Sequence, residues 1–549
     1  MRGAIWLTFL AAMGAGPARA QISFDEIAKQ AGLNFTLRNA ARGEYRQVEL
    51  MPGGVAAFDY NNDGCTDIFF TNGAALPSLR KTGPQYWNRL FRNNCDSTFT
   101  DVTEKAGVAG EGYSMAAATA DFDNDGFADL FVAGVNRNIL YRNRGDGTFE
   151  DVTRKAGIGG VDPKYGKMWS VSAGWFDYNN DGRLDLFVSN YVRWDPLREK
   201  ACGPPGHRLY CHPDDYASTP GQLFRNNGDG TFTDVSRSSG IASHVGKGMG
   251  IAFADFDGDG FIDVFVANDS IRNFLFRNKG NGSFEEVGLE AGVALADFGN
   301  AIAGMGADFR DFNNDGRPDA LVTGMVNDTY LLFRNRGGKL LFEDDTIHSR
   351  LARLTRQMTG WGAGMFDFDN DGWKDLFFAN SHFPRIGQYL GTQPELPNSV
   401  FRNLGNGQFE DASPAAGEAF HARALYRGAA FADFDNDGRV DVVVSALNSP
   451  AKLFRNTTQG AGHWLAIKLT GSRSNRDGLG AKVLVTTADG RTLYNHATTS
   501  VGYASSSERL VRFGLGVQDH ANAVEIRWPG GHVTRIENMR AGQVLKIQE

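Results

Sequence analysis

Seven times along this chain a nine-residue acidic pattern returns, Asp-x-Asp/Asn-x-Asp-Gly-x-x-Asp, starting at Asp59, Asp121, Asp177, Asp255, Asp311, Asp367 and Asp433. A pattern repeated in phase over so much of a chain makes a repeat protein, because each copy marks one structural unit. In 433–441 (DFDNDGRVD), Asp433, Asp435 and Asp437 alternate along a tight loop and can point oxygens at one centre, while Gly438 permits the sharp turn. The backbone carbonyl of Arg439 and the carboxylate of Asp441 complete the set. Oxygen ligands in that number suit Ca²⁺ better than Mg²⁺, which keeps more of its water. The same reading gives Asp59, Asn61, Asp63, Cys65 (carbonyl) and Asp67 in the first loop, and Asp121, Asp123, Asp125, Phe127 (carbonyl) and Asp129 in the second. Asp177, Asn179, Asp181, Arg183 (carbonyl) and Asp185 form the third, and Asp255, Asp257, Asp259, Phe261 (carbonyl) and Asp263 the fourth. Asp311, Asn313, Asp315, Arg317 (carbonyl) and Asp319 form the fifth, and Asp367, Asp369, Asp371, Trp373 (carbonyl) and Asp375 the sixth. Up to seven Ca²⁺ are expected, with weaker binding where Asn61, Asn179 and Asn313 replace Asp.

An EF-hand would need Glu at position twelve, where this chain has Phe70, Val132, Val188, Val266, Val322, Phe378 and Val444. Those apolar residues belong instead to short strands such as 185–190 (DLFVSN), preceded by small-residue strands such as 250–256 (GIAFADF). A Leu-Phe-Arg-Asn strand and a Phe-x-Asp-Val strand after a Gly-x-Gly hairpin recur in the same phase. Four strands per unit and seven units give a seven-bladed β-propeller. Residues 23–32 read as a last strand without its first three, and the seventh unit lacks its last strand, so the N-terminal strand is expected to close the ring and remove its open edge. Small residues before each acidic loop fit inner strands converging on the axis. The repeated Arg92, Arg142, Arg225, Arg277, Arg334, Arg402 and Arg455 are expected to hydrogen-bond between blades.

After a linker at 457–462 the repeat stops, and alternating strands of 463–549 predict a small C-terminal β-sandwich. Residues 1–20, with Arg2, an apolar run and Ala18-Arg19-Ala20, read as an export signal before a propeller of 21–456. That places the protein outside the cytoplasm, secreted or periplasmic, with no transmembrane segment. The formal charge of −8 is concentrated in the loops, where bound Ca²⁺ would reverse it, and no basic cluster for nucleic acid is present. Four cysteines in an oxidising compartment predict disulfides, with local pairing of Cys202 with Cys211 and of Cys65 with Cys95. The alternative for 202–212 is a zinc or copper site of Cys202, His207, Cys211 and His212.

The combination of these repeats, of the kind found in integrin α-chains, with SNRDGLGAKV (474–483), FGLG (513–516) and VEIRWPGG (524–531) resembles the ASPIC/UnbV family with FG-GAP/VCBS repeats. Segment 194–216 is similar to a cysteine loop of bacterial members. The resemblance implies an all-β, integrin α-like seven-bladed propeller followed by a small β domain, with calcium binding, secretion and partner interaction. Segment 498–508 (TTSVGYASSSE) departs from the more Gly-rich run of relatives.

Acidic loops and Gly-x-Gly hairpins share one face of a propeller, so the longer connections 72–88, 190–222 and 381–399 emerge on the other. They carry Tyr86, Trp87, Trp194, His207, Arg208, Tyr210, His212, His382 and Arg385, a candidate ligand face for a protein or glycan partner. No Gly-x-Ser-x-Gly, His-Glu-x-x-His or phosphate-binding loop occurs. The alternative to a binding module is an extracytoplasmic enzyme, a hydrolase, lyase or cyclase, with a pocket at the propeller mouth. A plugged mouth would count against it.

Overall fold

The computed structural model describes residues 20–338, 342–384 and 391–549. The candidate export signal and Arg385 therefore lie outside the described residues, apart from Ala20. Seven antiparallel blades follow one another in chain order. Blade 1 is built from Val55–Phe58, Asp67–Phe70, Arg89–Asn93 and Phe99–Asp101. Blade 7 takes Tyr426–Ala432, Asp441–Ala446 and Lys452–Asn456, and its outer strand is Phe24–Glu26 from the N-terminus, with Phe24 opposite Asn456. The ring is closed by that strand, so no outer edge is left half-built.

Local chemistry makes every blade alike. The small-residue strands are innermost, because there is no room near the axis for more: a Cβ on Gly362 would stand 2.7 Å from the Ala429 nitrogen, and one on Gly428 2.3 Å from the Gly53 carbonyl. Phe and Val of the second and third strands fill the space between blades, as where Phe377 of blade 6 meets Phe431 of blade 7 at 5.6 Å.

Between blades the hydrogen bonds come from the asparagine of the Leu-Phe-Arg-Asn strand. Asn143 Nδ2 in blade 2 donates to the Tyr60 carbonyl in the blade 1 loop at 2.8 Å, and Asn93 Nδ2 in blade 1 donates to Phe434 of blade 7 at 2.8 Å. Asn226, Asn278, Asn335, Asn403 and Asn456 do the same to Phe122, Tyr178, Phe256, Phe312 and Phe368. The arginines before them do not have the role expected from sequence. Arg277, Arg334 and Arg455 pair with Glu285, Glu343 and Asp25 on the outer strand of their own blade at 3.0–3.3 Å, and Arg142 and Arg402 reach acids of their own loop. A long side chain at that position points along its own sheet, whereas the short amide sits against the neighbour.

The tail forms a four-stranded sheet (Thr492–His496, Lys482–Thr487, His520–Arg527, Val533–Arg540) and a three-stranded one (Val511–Gly516, His463–Thr470, Gln543–Gln548). It is not self-contained. Residues 498–508 leave it and run into the propeller axis, where Ser500–Val501 and Ser505–Ser506 add to the inner edge of blade 1 and extend that sheet to six strands.

This insert touches the innermost strand of every blade. Ser506 pairs with Ala56 of blade 1, Ala504 accepts from Ala117 of blade 2, and Ala504 N donates to Ser172 Oγ of blade 3. Ser500 Oγ meets the Ile251 carbonyl of blade 4, and Gly502 exchanges two backbone bonds with Ala307 of blade 5 at 2.8 and 3.1 Å. Gly502, at φ +69°, lies so close to blade 6 that a Cβ would meet the Ala363 carbonyl at 2.5 Å. Ser507 Oγ accepts from Phe431 of blade 7. Tyr503 is its tip, fully buried, 5.1 Å from the Trp361 ring and donating to the Met51 carbonyl at 2.7 Å. The Gly, Ala and Ser of this segment are what a narrow axis admits. No helix among the described residues is long and apolar enough to cross a membrane.

Candidate metal centres and candidate binding cup

All seven acidic loops adopt one geometry. The first Asp accepts the amides of the fifth and sixth residues: Asp121 Oδ1 from Asp125 N at 2.9 Å and Asp121 Oδ2 from Gly126 N at 2.8 Å, with the same pair in each other loop. The fourth residue is left-handed, Asn in six loops (φ 55–58°) and Gly258 in the fourth; the sixth is glycine with φ of 82–98°. All six of those Asn also donate to the carbonyl of the next blade's turn glycine, as Asn62 to Gly126 at 2.8 Å and, longest, Asn436 to Gly64 at 3.5 Å. The ninth residue is a brace. Asp129 Oδ1 accepts from Asn143 N at 2.7 Å and Oδ2 from Phe122 N at 3.0 Å, and Asp67, Asp185, Asp263, Asp319, Asp375 and Asp441 repeat this.

The loops fit a divalent cation. Carboxylate oxygens of Asp121, Asp123 and Asp129, of Asp255, Asp257 and Asp259, and of Asp367, Asp369 and Asp371 gather within 4.8 Å. Asp369 Oδ1 and Asp435 Oδ1 are buried without a hydrogen-bond partner. Burial first, and then neighbouring carboxylates, raise Asp121 to about 7, Asp367 to about 8, and Asp177 and Asp435 to about 6. Acids held this close and this dry carry more negative charge than the chain compensates, which is the condition a hard divalent ion relieves.

The tail sits on this face. Lys482 Nζ lies 2.5 Å from Asp255 Oδ2, Arg512 Nη1 3.2 Å from Asp433 Oδ2 and Arg476 Nε 3.8 Å from Asp121 Oδ2. Asp121 N donates to Asp477 at 2.8 Å, and Lys374 Nζ bridges the carbonyls of Asp311 and Tyr494. The tail thus packs on the first residue of several candidate sites at once.

Cys65 is joined to Cys95 and Cys202 to Cys211. A metal site using Cys202 and Cys211 is excluded, since bonded sulfurs have no thiolate to offer.

On the opposite face the long connections enclose a cup of about 240 Å³. Its wall comes from Gln47 and Leu50 before blade 1, the disulfide loop (Leu209–Pro213), Asp269 and Ser270 of blade 4, Met325 of blade 5 and Phe383 of blade 6. Its floor rests on the plug: Phe383 packs on Trp361 at 5.3 Å, which packs on Tyr503. Arg427, fully buried, stacks over Trp361 at 3.9 Å, and burial lowers its pKa to about 9.

Of the residues expected on this face, Tyr210 and His212 line the cup. His207 and Arg208 lie on the outer part of the disulfide loop and do not. Trp194 is 6% exposed, packs on Trp169 and donates to Glu199; His382 is 2% exposed and bonded to Thr359 Oγ1. Both hold the loops in place instead of facing a ligand: aromatic rings in long connections were needed as the core of those connections. Trp87 lines a separate groove between blades 1 and 2, and Tyr86 ends the short turn Pro84–Tyr86 beside it without lining either cavity. Sequence reasoning missed Gln47 and Asp269, each a single copy with no motif around it, and Met249, which repeats in phase with Met115 and Met305 at the innermost strands.

The family model for FG-GAP-like repeats matches 59–132, 121–188, 211–266, 255–322, 311–378 and 367–444, and that for ASPIC and UnbV matches 471–549. The chain belongs to the ASPIC/UnbV family with FG-GAP repeats. Its ASPIC/UnbV portion is therefore the segment that includes the axial plug. Among curated relatives it is similar to cartilage acidic protein 1 of Homo sapiens and of Mus musculus, 27% identical in both, covering 69% and 68% of this chain and 53% and 54% of theirs. The chain spans about half the length of the curated relatives it matches. Solved structures similar to this ASPIC/UnbV protein include an Agrocybe aegerita lectin that recognises terminal N-acetylglucosamine, 17% identical over 72% of this chain and 90% of that one, at a TM-score of 0.39. A likeness at that level carries no functional argument.

Proposed function

We propose that this protein is a secreted or periplasmic calcium-binding propeller that engages a protein or glycan partner through the face opposite its metal loops. The observation that carries the calcium reading is the shared geometry of the seven loops, with buried carboxylate oxygens left unpaired in two of them. Disulfides and residues 1–20 read as a leader support an extracytoplasmic location. On this reading the chain divides into the leader, a propeller of 21–456, a linker of 457–462 and a tail domain of 463–549. The ions would be held by the first, third and fifth carboxylates, or Asn61, Asn179 and Asn313, with the seventh carbonyl and the ninth carboxylate. Bound there they supply positive charge to an acidic rim and fix the loops on which the tail rests.

The plugged axis favours a binding module over an enzyme with a pocket deep in the channel, because the mouth opens only as a shallow cup. Calorimetric titration of Ca²⁺ into EDTA-treated protein, followed by a thermal melt, tests the reading. Several equivalents should bind, the sites with Asn61, Asn179 and Asn313 more weakly, and the melting temperature should rise by about 10 °C or more, since each site filled to 100 times its Kd adds about 2.7 kcal/mol. An unchanged melt would refute it.

A further inference from the structure

We infer that the cup at the propeller mouth is a site for an ammonium group on an apolar stem, either a free small amine or the lysine side chain of a partner. The inference rests on the reading that this face binds, and names what it takes.

Charge comes first. Asp269 is 7% exposed and lines the cup, yet among the described residues no Lys, Arg or His nitrogen lies within ion-pair distance of it. Lys247 and His212 act on it only from beyond that distance, and Lys247 gives its Nζ to Asp214. A buried carboxylate without a counter-charge is costly, and burial raises its pKa. Glu49, 1% exposed behind Tyr210, likewise has no ion-pair partner among the described residues. Arg427 does not line the cup.

Hydrogen bonding points the same way. Tyr191 donates to Asp269 Oδ2 at 2.5 Å, Ser270 to Oδ1 at 2.8 Å, and Tyr210 to Glu49 at 3.1 Å. Their protons are therefore committed, and lone pairs are what these groups have left for a ligand. Gln47, 4% exposed, lines the cup with an Oε1 that has no partner. The Asp269 carboxylate and the Gln47 amide oxygen in one small space, with Glu49 behind them, call for a ligand rich in donors, and an ammonium carries three.

The remaining wall suits an uncharged stem. Leu50, Met51, Met249, Met325 and Phe383 are apolar, the thioethers are polarisable, and an aromatic face attracts a cation. Room for roughly eight waters at about 30 Å³ each limits the occupant to one ring or a short chain.

The test uses the full mature protein with Ca²⁺. Calorimetry compares phenethylamine with phenylacetate and 2-phenylethanol, and the peptide acetyl-Gly-Lys-Gly-amide with its norleucine counterpart. Phenethylamine or the lysine peptide is expected to bind about tenfold or more tighter than its uncharged and anionic counterparts. Asp269→Asn should remove that preference, and Met249→Trp, which fills the cup, should abolish binding whatever the first variant does to folding. Whichever of amine and peptide shows the preference identifies the source. Equal or tighter binding of phenylacetate or 2-phenylethanol, blocked by Met249→Trp, overturns the ammonium assignment and leaves the face as a binding surface. Absence of binding by every probe overturns the assignment as well, as does a preference that Asp269→Asn leaves intact.

Discussion

The two faces of this propeller are built by opposite rules. On one, a nine-residue loop is repeated seven times with the same hydrogen bonds, and a second domain is docked over it. On the other, every connection differs, and Asp269 and Gln47 each occur once around a single cup. Repetition is what a closed ring requires for its own integrity, because each blade must present the same edge to its neighbour. A ligand needs the reverse, a place where one direction around the ring is unlike the rest. On the proposed function, the acidic face is framework and the variable one recognition.

Tyr503 is where the two faces meet, since it belongs to the tail and yet supports the floor of the cup. Tyr503→Ala should give the largest loss, about 3–5 kcal/mol for a fully buried aromatic, read in the melt and in faster proteolysis of the tail. If the tail stays protected and the melt is unchanged, the faces are independent and the plug is incidental. A smaller effect, about 1–3 kcal/mol, is expected for Asn143→Ala, which removes the donor to the Tyr60 carbonyl of blade 1 and to the Ala128 carbonyl of its own loop. Arg277→Ala, on an outer edge, should change the melt by less than half of that, and the reverse order would return the inter-blade role to the arginines.

A further effect concerns acid. His496, 3% exposed in the tail, faces the Phe253 carbonyl at 2.9 Å with Nε2, and burial lowers its pKa from 6.5 to about 3. The unfolded chain therefore binds this proton in a window where the folded one does not. Its contribution is whole above pH 6.5 and is lost as pH falls toward 3, at no more than about 1.4 kcal/mol per pH unit. Denaturant midpoints of the wild type and His496→Gln between pH 7 and 5 should converge as the pH falls; parallel curves would exclude the histidine.

Much of the framework was legible in the sequence because it is periodic. The loops, the four-strand unit and the closing strand at 24–26 follow from spacing, and the two disulfides from proximity in the chain. The plug was not legible. Residues 498–508 have no alternation of their own, since their partners are seven strands of another domain, and a Gly-Tyr-Ala-Ser-Ser-Ser run reads as a loop until the axis is in view. The Arg-to-Asn exchange of roles was hidden for a different reason: both residues repeat in phase, and only the distance to the next blade separates them. In the cup, Tyr210 and His212 stood out by type, whereas Trp194 and His382 stood out equally and are buried. Residue type alone does not say which way a long connection turns its side chains.

Hydrogen–deuterium exchange on metal-free and Ca²⁺-loaded protein tests the division between faces most directly. Calcium is expected to slow exchange in the seven acidic loops and in 498–508, with the connections around Tyr191, Tyr210 and Phe383 unchanged. Protection that appears chiefly on the variable face, or none in the loops, would contradict it.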